Sequence, residues 1–511
     1  MNRQFTSTIG WRVVSLFSSL FSGLLLLRLL SSEFEKERFS VVNGALTLLT
    51  YLPFLDLGYR TVLNRQLLME VFPEERKRLI EFGQVLYRRL AIVLLPLILL
   101  IIGIYAQLPE SKKAGQPTVY FLALGLAGTL AMFVFAQNNL LIGLGEQRRV
   151  FQINALNSWV SLGATWIGLR LHYDLWAIPF SMGVAAVIQG MIAAYFCRMA
   201  TPAFRLWGRI EGGEFRRLFQ KFRPEALACF RSQVAIVLLF TVDIILADHL
   251  GPSALVAASG GGYFTSARLF AQARVLLQAG SEAVWPLIAK HQSGPTQSEH
   301  GPSVARLSEW LLRFNAWILG GVMGTMLAIL VPFAEWWTQH KTNSWAPEQT
   351  VVTLMACRFF ITGISSPTAY YLLGSGRFRV LARACERELA LGVFLSLIMG
   401  PYLLGVGVAT GFLMATVCGT LTPLFWVWAK SAGLSPGTWY LQTVARGLSA
   451  MAASAIVTFW MHHQLGGGWR TVLEAMIGFL SSMVMAVLWT FRKAPGTAIG
   501  FLGKYPRLAN L

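Results

Sequence analysis

The sequence predicts an all-α, polytopic membrane protein, and three features carry that prediction. Of the 511 residues, 55% are hydrophobic and only 13% charged, against about 25% charged in a soluble domain. Apolar runs of roughly 20 residues, the length a helix needs to cross hydrocarbon, recur along the whole chain. The lysines and arginines gather in alternate loops, as the positive-inside rule requires of helical spans. A transmembrane barrel would instead show short segments alternating between apolar and polar.

Hydropathy and length give about 14 spans. In order they cover residues 10–30, 40–63, 90–108, 118–141, 150–171, 175–197, 226–246 and 259–291, then 311–333, 350–373, 389–404, 405–427, 441–461 and 472–491. The first run lacks a small-residue cleavage site behind it and reads as an uncleaved span. With the N-terminus inside, the inner loops include PEERKR (73–78), EQRR (146–149), GRFRVLAR (376–383) and the basic stretch 198–223. Both termini are then cytoplasmic. The outer loops are short, too short to hold a separate soluble active site.

The net charge of +19 follows from this loop bias, so no nucleic-acid partner is expected. The five cysteines lie in or beside apolar segments without a CxxC pair, and the seven histidines fall in loops or at span ends without metal-ligand spacing. No cofactor or metal is expected. Trp336, Trp337, Trp460 and Trp469 fall near the outer interface, and Trp11, Trp426, Trp428 and Trp489 near the inner one. Both sets read as belt anchors.

The chain also carries a weak internal repeat. LLIGLGEQRR (140–149) closes the fourth span and YLLGSGRFRV (371–380) closes the tenth, at an offset of 231. FLDLGYRTVL (54–63) aligns with LLQAGSEAVW (276–285) on Gly58 and Gly280, at an offset of 222. Two six-span units have even parity, insert in the same direction and form a parallel repeat. The expected organisation is an N-lobe over 1–200, a basic linker over 201–223 and a C-lobe over 224–430. Two extra spans and a tail over 431–511 lie outside the repeat.

The eighth span is the most informative. SGGGYFTSARLFAQARVLLQAGSEAVWPLIAKH (259–291) is long enough to cross the bilayer, yet it carries Arg268, Gln272, Arg274, Gln278 and Glu282. On a helical wheel with Arg268 at zero, Gln272 falls at about 40° and Glu282 at about 320°. Gln278 falls at about 280°, Arg274 at about 240° and Ser281 at about 220°. A coherent polar half of this kind faces a water-filled cavity or a packed polar bundle, not lipid. The cavity is the favoured reading, and the alternative is a structural ladder in which Glu282 neutralises Arg274. Gly260, Gly261 and Gly262 bend the helix or form an interfacial turn.

Other charges sit at membrane depth. Arg28 ends the first span and either snorkels or lines a cavity. Asp56 and Arg60 stand at i and i+4, the spacing of an ion pair. Asp243, well inside the seventh span, is a partner for an arginine or a proton or sodium site. Arg358 stands alone in the tenth span.

Three stretches carry a resemblance. FLDLGYRTVLNRQL (54–67), TVDIILADHLGPSALVAAS (241–259) and YFTSARLFAQARVLLQAGSEAVWPLIAKH (263–291) are similar to the second, seventh and eighth spans of polysaccharide flippases. These are the O-antigen and exopolysaccharide translocases of the multidrug/oligosaccharidyl-lipid/polysaccharide exporter superfamily. The resemblance implies two six-helix lobes around a cationic cavity that opens alternately to each side of a bacterial inner membrane. It implies an undecaprenyl-pyrophosphate-linked oligosaccharide as cargo, with membrane lipids and polysaccharide polymerase machinery as partners, and a monomeric carrier. Arginine binds phosphate through a bidentate fork. Arg268 and Arg274 would therefore be ligands of the phosphates or of anionic sugars, with Gln272, Gln278, Arg28, Arg60 and Arg358 beside them. Asp243, Glu282 and Asp56 would be counter-charges or ion-coupling groups.

Three rival readings remain. A drug/cation antiporter of the same superfamily needs an acidic cavity, whereas the candidate residues here are mainly basic. A lipid II flippase, whose branch also carries two extra spans, is not distinguished by sequence. A membrane enzyme, a polymerase or ligase, would use an outer loop such as SSEFEKERFS (31–40), which is too short to build a pocket.

Overall fold

The computed structural model describes residues 3–33, 56–70, 72–107, 117–201, 204, 208–250, 312–313, 315–332, 348–432 and 435–465. It also describes Tyr263, Ser266, Ala267, Phe270, Trp285, Ala289, Glu474, Ile477 and Gly478. These residues are almost entirely helical. The helices are α1 (Arg3–Glu33), α2 (Tyr59–Met69), α3 (Pro73–Ala106), α4 (Thr118–Gly143), α5 (Gln147–Arg170) and α6 (Ala177–Ala200). Then come α7 (Gly212–Leu239), α8 (Val242–His249), α9 (Asn315–Pro332), α10 (Gln349–Gly374), α11 (Phe378–Ala415), α12 (Thr422–Ala432) and α13 (Pro436–Leu465). Seven described helices are long and apolar enough to cross a membrane. Large apolar side chains such as Ile92, Val93, Leu100, Phe394, Phe459 and Trp460 are exposed, which suits a lipid surround and not water. The protein is a multi-pass, all-α membrane protein.

The chain divides into two compact units, Phe5–Phe230 and Arg231–Leu511 with Met1–Gln4. The division falls inside α7, which starts at Gly212 within the stretch expected as linker. Its first three turns alternate apolar and basic residues. Phe215, Leu218 and Phe222 are buried, whereas Arg216, Arg217, Lys221 and Arg223 are exposed. Phe82 of α3 meets Phe215 and Phe222 at 5.3 and 5.9 Å, and Tyr59 of α2 stacks on Phe219 at 4.9 Å. α3 starts with Pro73 in its first turn, followed by Glu74 and Glu75. Proline costs no hydrogen bond there, and the carboxylates oppose the positive end of the helix dipole.

The internal repeat reappears bond by bond. Between α4 and α5, the backbone N–H groups of Leu144, Gly145 and Glu146 donate to Leu140, Ile142 and Leu141 at 2.9, 3.0 and 2.9 Å. Between α10 and α11, those of Ser375, Gly376 and Arg377 donate to Tyr371, Leu373 and Leu372 at 2.9, 3.2 and 2.9 Å. Each position in the second turn is the counterpart of one in the first, under the same offset that relates the two sequence motifs. Gly145 and Gly376 take φ of +84° and +73°, the left-handed conformation that closes a helix. The L-x-G-x-G pattern is thus a helix-stop device used once in each unit.

In the C-terminal unit, α11 turns back on itself at Leu404, with φ 50° and ψ −133°. The return arm lies against the outgoing one. A Cβ on Gly407 or Gly411 would collide with the backbone of Met399 or Ser396. A π-helical segment, Thr416–Leu421, then leads into α12. α13, from the stretch outside the repeat, docks on α9. The Thr325 and Ser454 hydroxyls bond at 2.8 Å beside the close approach of Gly320 to Gly447.

One interface assignment is overturned. Trp428 is fully buried in the core of its unit, 6.0 Å from Phe425, so it is not a belt anchor. Two residues along a helix turn by about 200°, so Trp426 faces outward while Trp428 faces in.

Gly58 and Gly145 separate backbone strain from crowding. Both have positive φ, but a Cβ on Gly58 would collide with the Ala226 carbonyl oxygen, whereas nothing lies within 4 Å at Gly145. Gly145→Ala is expected to cost about 1–2 kcal/mol from its left-handed backbone. Gly58→Ala adds about 1–3 kcal/mol of overpacking. Thermal unfolding in detergent should rank Gly58→Ala clearly below Gly145→Ala, and both below the parent.

Candidate functional site

Each unit buries charge, and the stronger arrangement lies in the C-terminal one. α7 stops at Leu239, and α8 resumes at Val242 after a break at Phe240 and Thr241. A break inside a membrane leaves backbone carbonyls without partners, and each must be satisfied from elsewhere. Arg358 of α10 does this. Its Nη2 donates to the Leu239 carbonyl at 2.9 Å, and its Nη1 donates to Asp243 Oδ2 at 2.5 Å. Asp243 Oδ1 accepts the backbone N–H of Ile244 at 2.9 Å, and the Tyr263 hydroxyl donates to Oδ2 at 3.5 Å. Arg358 is 2% exposed and Asp243 1%. The guanidinium lies over the rings of Phe412, Phe240 and Phe359, at 4.7, 5.7 and 5.8 Å from their centroids. This aromatic cage supplies cation–π attraction in place of water.

One helix away, Glu388 of α11 is buried between the two hydroxyls of Thr416 and Thr420. Gly419 lets the π-helical segment approach so closely that an added Cβ would stand 2.6 Å from the Glu388 Cα. Asp243, Arg358, Tyr263 and Glu388 form one electrostatic group within this unit.

The N-terminal unit holds a smaller pair. Asp56 is 2% exposed, and its Oδ1 accepts the backbone N–H of Gly58 at 2.8 Å, fixing the turn into α2. Arg60 Nε stands 3.6 Å from Oδ2. Tyr87 of α3 is buried in the same unit.

Of the residues singled out from sequence, Asp243 and Arg358 meet each other, and Asp56 meets Arg60. Arg268, Gln272, Arg274, Gln278 and Glu282 lie outside the described residues. Arg28 lies on α1, and its side chain is likewise outside the description. The pairing gives Arg358 a definite chemistry. To bind a phosphate, it would first have to part from Asp243. Sequence reasoning missed Glu388 and the hydroxyl partners. The available signal was Thr416 and Thr420 at i and i+4 in an apolar span, which puts both hydroxyls on one face. Among the described residues, no group of three histidines, cysteines or acids is placed to hold a metal ion.

No protein-family model matches the chain, and no curated protein sequence does. Solved structures do. Lipid II flippase MurJ in an inward closed conformation is similar over 96% of this chain and 99% of its own, with a TM-score of 0.62 and 12% identity. At this identity the likeness shows a shared fold. The Vibrio cholerae MATE transporter VcmN in its bent form is similar over 86% of this chain and 98% of its own, with a TM-score of 0.62 and 13% identity. A MOP superfamily transporter from Pyrococcus furiosus is similar over 83% of this chain and 95% of its own, with a TM-score of 0.59 and 13% identity.

Arg358→Lys tests the double role of the guanidinium. A lysine ammonium is a single point donor and cannot bridge Asp243 and the Leu239 carbonyl as a planar fork does. The variant should lose one charge-assisted hydrogen bond, about 1.5–3 kcal/mol, read as a lowered midpoint of thermal unfolding in detergent.

Proposed function

We propose that this protein is a flippase that carries an undecaprenyl-pyrophosphate-linked oligosaccharide across a bacterial inner membrane, for surface polysaccharide assembly. It works by alternating access to a cationic cavity. The observation that supports this reading best is the extent of the structural likeness. A lipid II flippase structure is matched nearly end to end, while the MATE transporter VcmN and the Pyrococcus furiosus MOP superfamily transporter leave more of this chain unmatched. The sequence supplies the charge argument. An anionic pyrophosphate needs arginines, and Arg268 and Arg274 share the polar half of the eighth span with Gln272, Gln278 and Glu282. Arg28, Arg60 and Arg358 are further ligands in this reading, and Asp243, Glu282 and Asp56 are counter-charges. The lipid tail stays in the bilayer while the head group crosses. No chemical bond changes, so the activity is transport and not catalysis.

Lipid II itself is the second reading, favoured by that same full-length likeness.

Depletion of the protein tests both. Inner-leaflet undecaprenyl-pyrophosphate oligosaccharide should accumulate while surface polysaccharide is lost, and mass spectrometry of the lipid extract names the cargo. Accumulated lipid II would replace the first reading by the second. Single units reaching the outer leaflet unpolymerised would point to an enzyme instead. Arg274→Ala should abolish transport and leave membrane abundance intact. Lost abundance would make that arginine part of a structural ladder.

A further inference from the structure

The start of α7 is a platform with two unlike faces. On a helical wheel with Arg216 at zero, Arg223, Arg217 and Lys221 fall at about 340°, 100° and 140°. Leu218, Phe222 and Phe215 fall at about 200°, 240° and 260°. The four basic side chains are exposed and the three apolar ones buried. Ring contacts fix this part of α7 to its unit: Phe215 and Phe222 meet Phe82 of α3, and Phe219 stacks on Tyr59 of α2. Packing therefore holds the basic face outward in one orientation.

α3 brings a further cation to the same platform. The Arg89 guanidinium lies 4.2 Å from the centroid of the Phe215 ring, and the residue is exposed. Cation–π attraction holds it beside α7. Ile92 and Val93 stand three and four residues further along, on the same side of α3. They are 66% and 69% exposed, as side chains against lipid are. The lipid-facing surface of α3 thus begins one turn from Arg89, which sets the platform at the level of the headgroups. Loop charge assigns that level to the inner leaflet.

The protein does not neutralise these charges itself. Residues 208–223 carry five basic and two acidic side chains. Glu214 stands 3.7 Å from Arg78 and 3.9 Å from Arg217, and Glu75 stands 2.7 Å from Arg78. Glu225 acts on Arg65 of α2, and Glu211 is exposed. The adjoining residues 202–207, PAFRLW, include no acid. Among the described residues, no carboxylate pairs with Arg89, Arg216, Lys221 or Arg223.

We propose that Arg89, Arg216, Lys221 and Arg223 form a docking surface for anionic phospholipids of the inner leaflet. Guanidinium groups bond phosphate oxygens as a fork, and a negative leaflet attracts each basic residue held at its surface. The docked headgroups tie the start of α7 and the adjoining turn of α3 to the membrane. This surface is separate from the cargo residues of the transporter reading and does not depend on them.

Thermal unfolding of the purified full chain in neutral detergent, titrated with phosphatidylglycerol or with phosphatidylcholine, tests the surface. Phosphatidylglycerol should raise the midpoint and phosphatidylcholine should not, and added salt should weaken the effect. Arg216→Gln with Arg223→Gln changes two exposed side chains that pack on no ring. This variant should unfold as the parent does without lipid, and its apparent affinity for phosphatidylglycerol should fall about five-fold per charge removed. Adding Arg89→Gln and Lys221→Gln should abolish the preference. Arg148→Gln with Arg198→Gln, exposed basic residues elsewhere in the same unit, should leave it intact. An equal loss in that control pair would reduce the effect to overall charge and overturn the site. A preference that survives all four substitutions, or equal stabilisation by inorganic phosphate, would overturn it as well. A wrong cargo leaves every one of these results untouched.

Discussion

Among the described residues, the C-terminal unit is organised around the buried ion pair of Asp243 and Arg358. Asp243 and Arg358 are 115 residues apart in sequence and 2.5 Å apart in space. Helix α7 cannot break at Phe240 and Thr241 unless something satisfies the Leu239 carbonyl, and the same guanidinium does so. The aromatic cage of Phe240, Phe359 and Phe412 would be an ordinary apolar cluster without the cation at its centre. Breaking such a pair is strongly destabilising because a bare charge stays behind in a low dielectric. The pair therefore holds three elements in one arrangement: the end of α7, the start of α8 and the middle of α10. Anything that neutralises Asp243 or competes for Arg358 acts at once on the broken helix.

The two units use the same local devices to different ends. Their helix-stop turns at Gly145 and Gly376 match hydrogen bond for hydrogen bond, so the backbone of the repeat is retained. Among the described residues, their buried charges do not match. The N-terminal unit has a local pair, Asp56 with Arg60, made within one turn of chain and partly exposed on the arginine side. The C-terminal unit has a long-range pair that is almost wholly buried, and a second acid, Glu388, beside it.

Much of the architecture was legible in the sequence. Span length and loop charge depend on residues close together in the chain, and the repeat showed through its glycines because a left-handed turn tolerates little else. The acid–arginine pair was half legible. Asp243 was recognised as a partner for an arginine, but nothing in one sequence specifies Arg358, since spacing is informative only within a helix. The break at Phe240 and Thr241 carries neither glycine nor proline, so it left no local mark. Glu388 was hidden because its position at the head of an apolar run resembles an interfacial residue. Its burial comes from the return arm of α11 and the close approach at Gly419. Trp428 misled for a similar reason: a tryptophan near a span end suits both the lipid interface and the protein core.

A double-mutant cycle on Asp243 and Arg358, followed by unfolding of the purified protein in detergent, tests the central claim most directly. Asp243→Asn and Arg358→Met should each cost about 3–5 kcal/mol by leaving one buried charge unpaired. The double variant removes both members of the pair and should lose less than the sum of the two single losses, by a coupling of about 0.5–3 kcal/mol between the two sites. Strictly additive losses would contradict the account, because they would mean that the two side chains do not depend on each other.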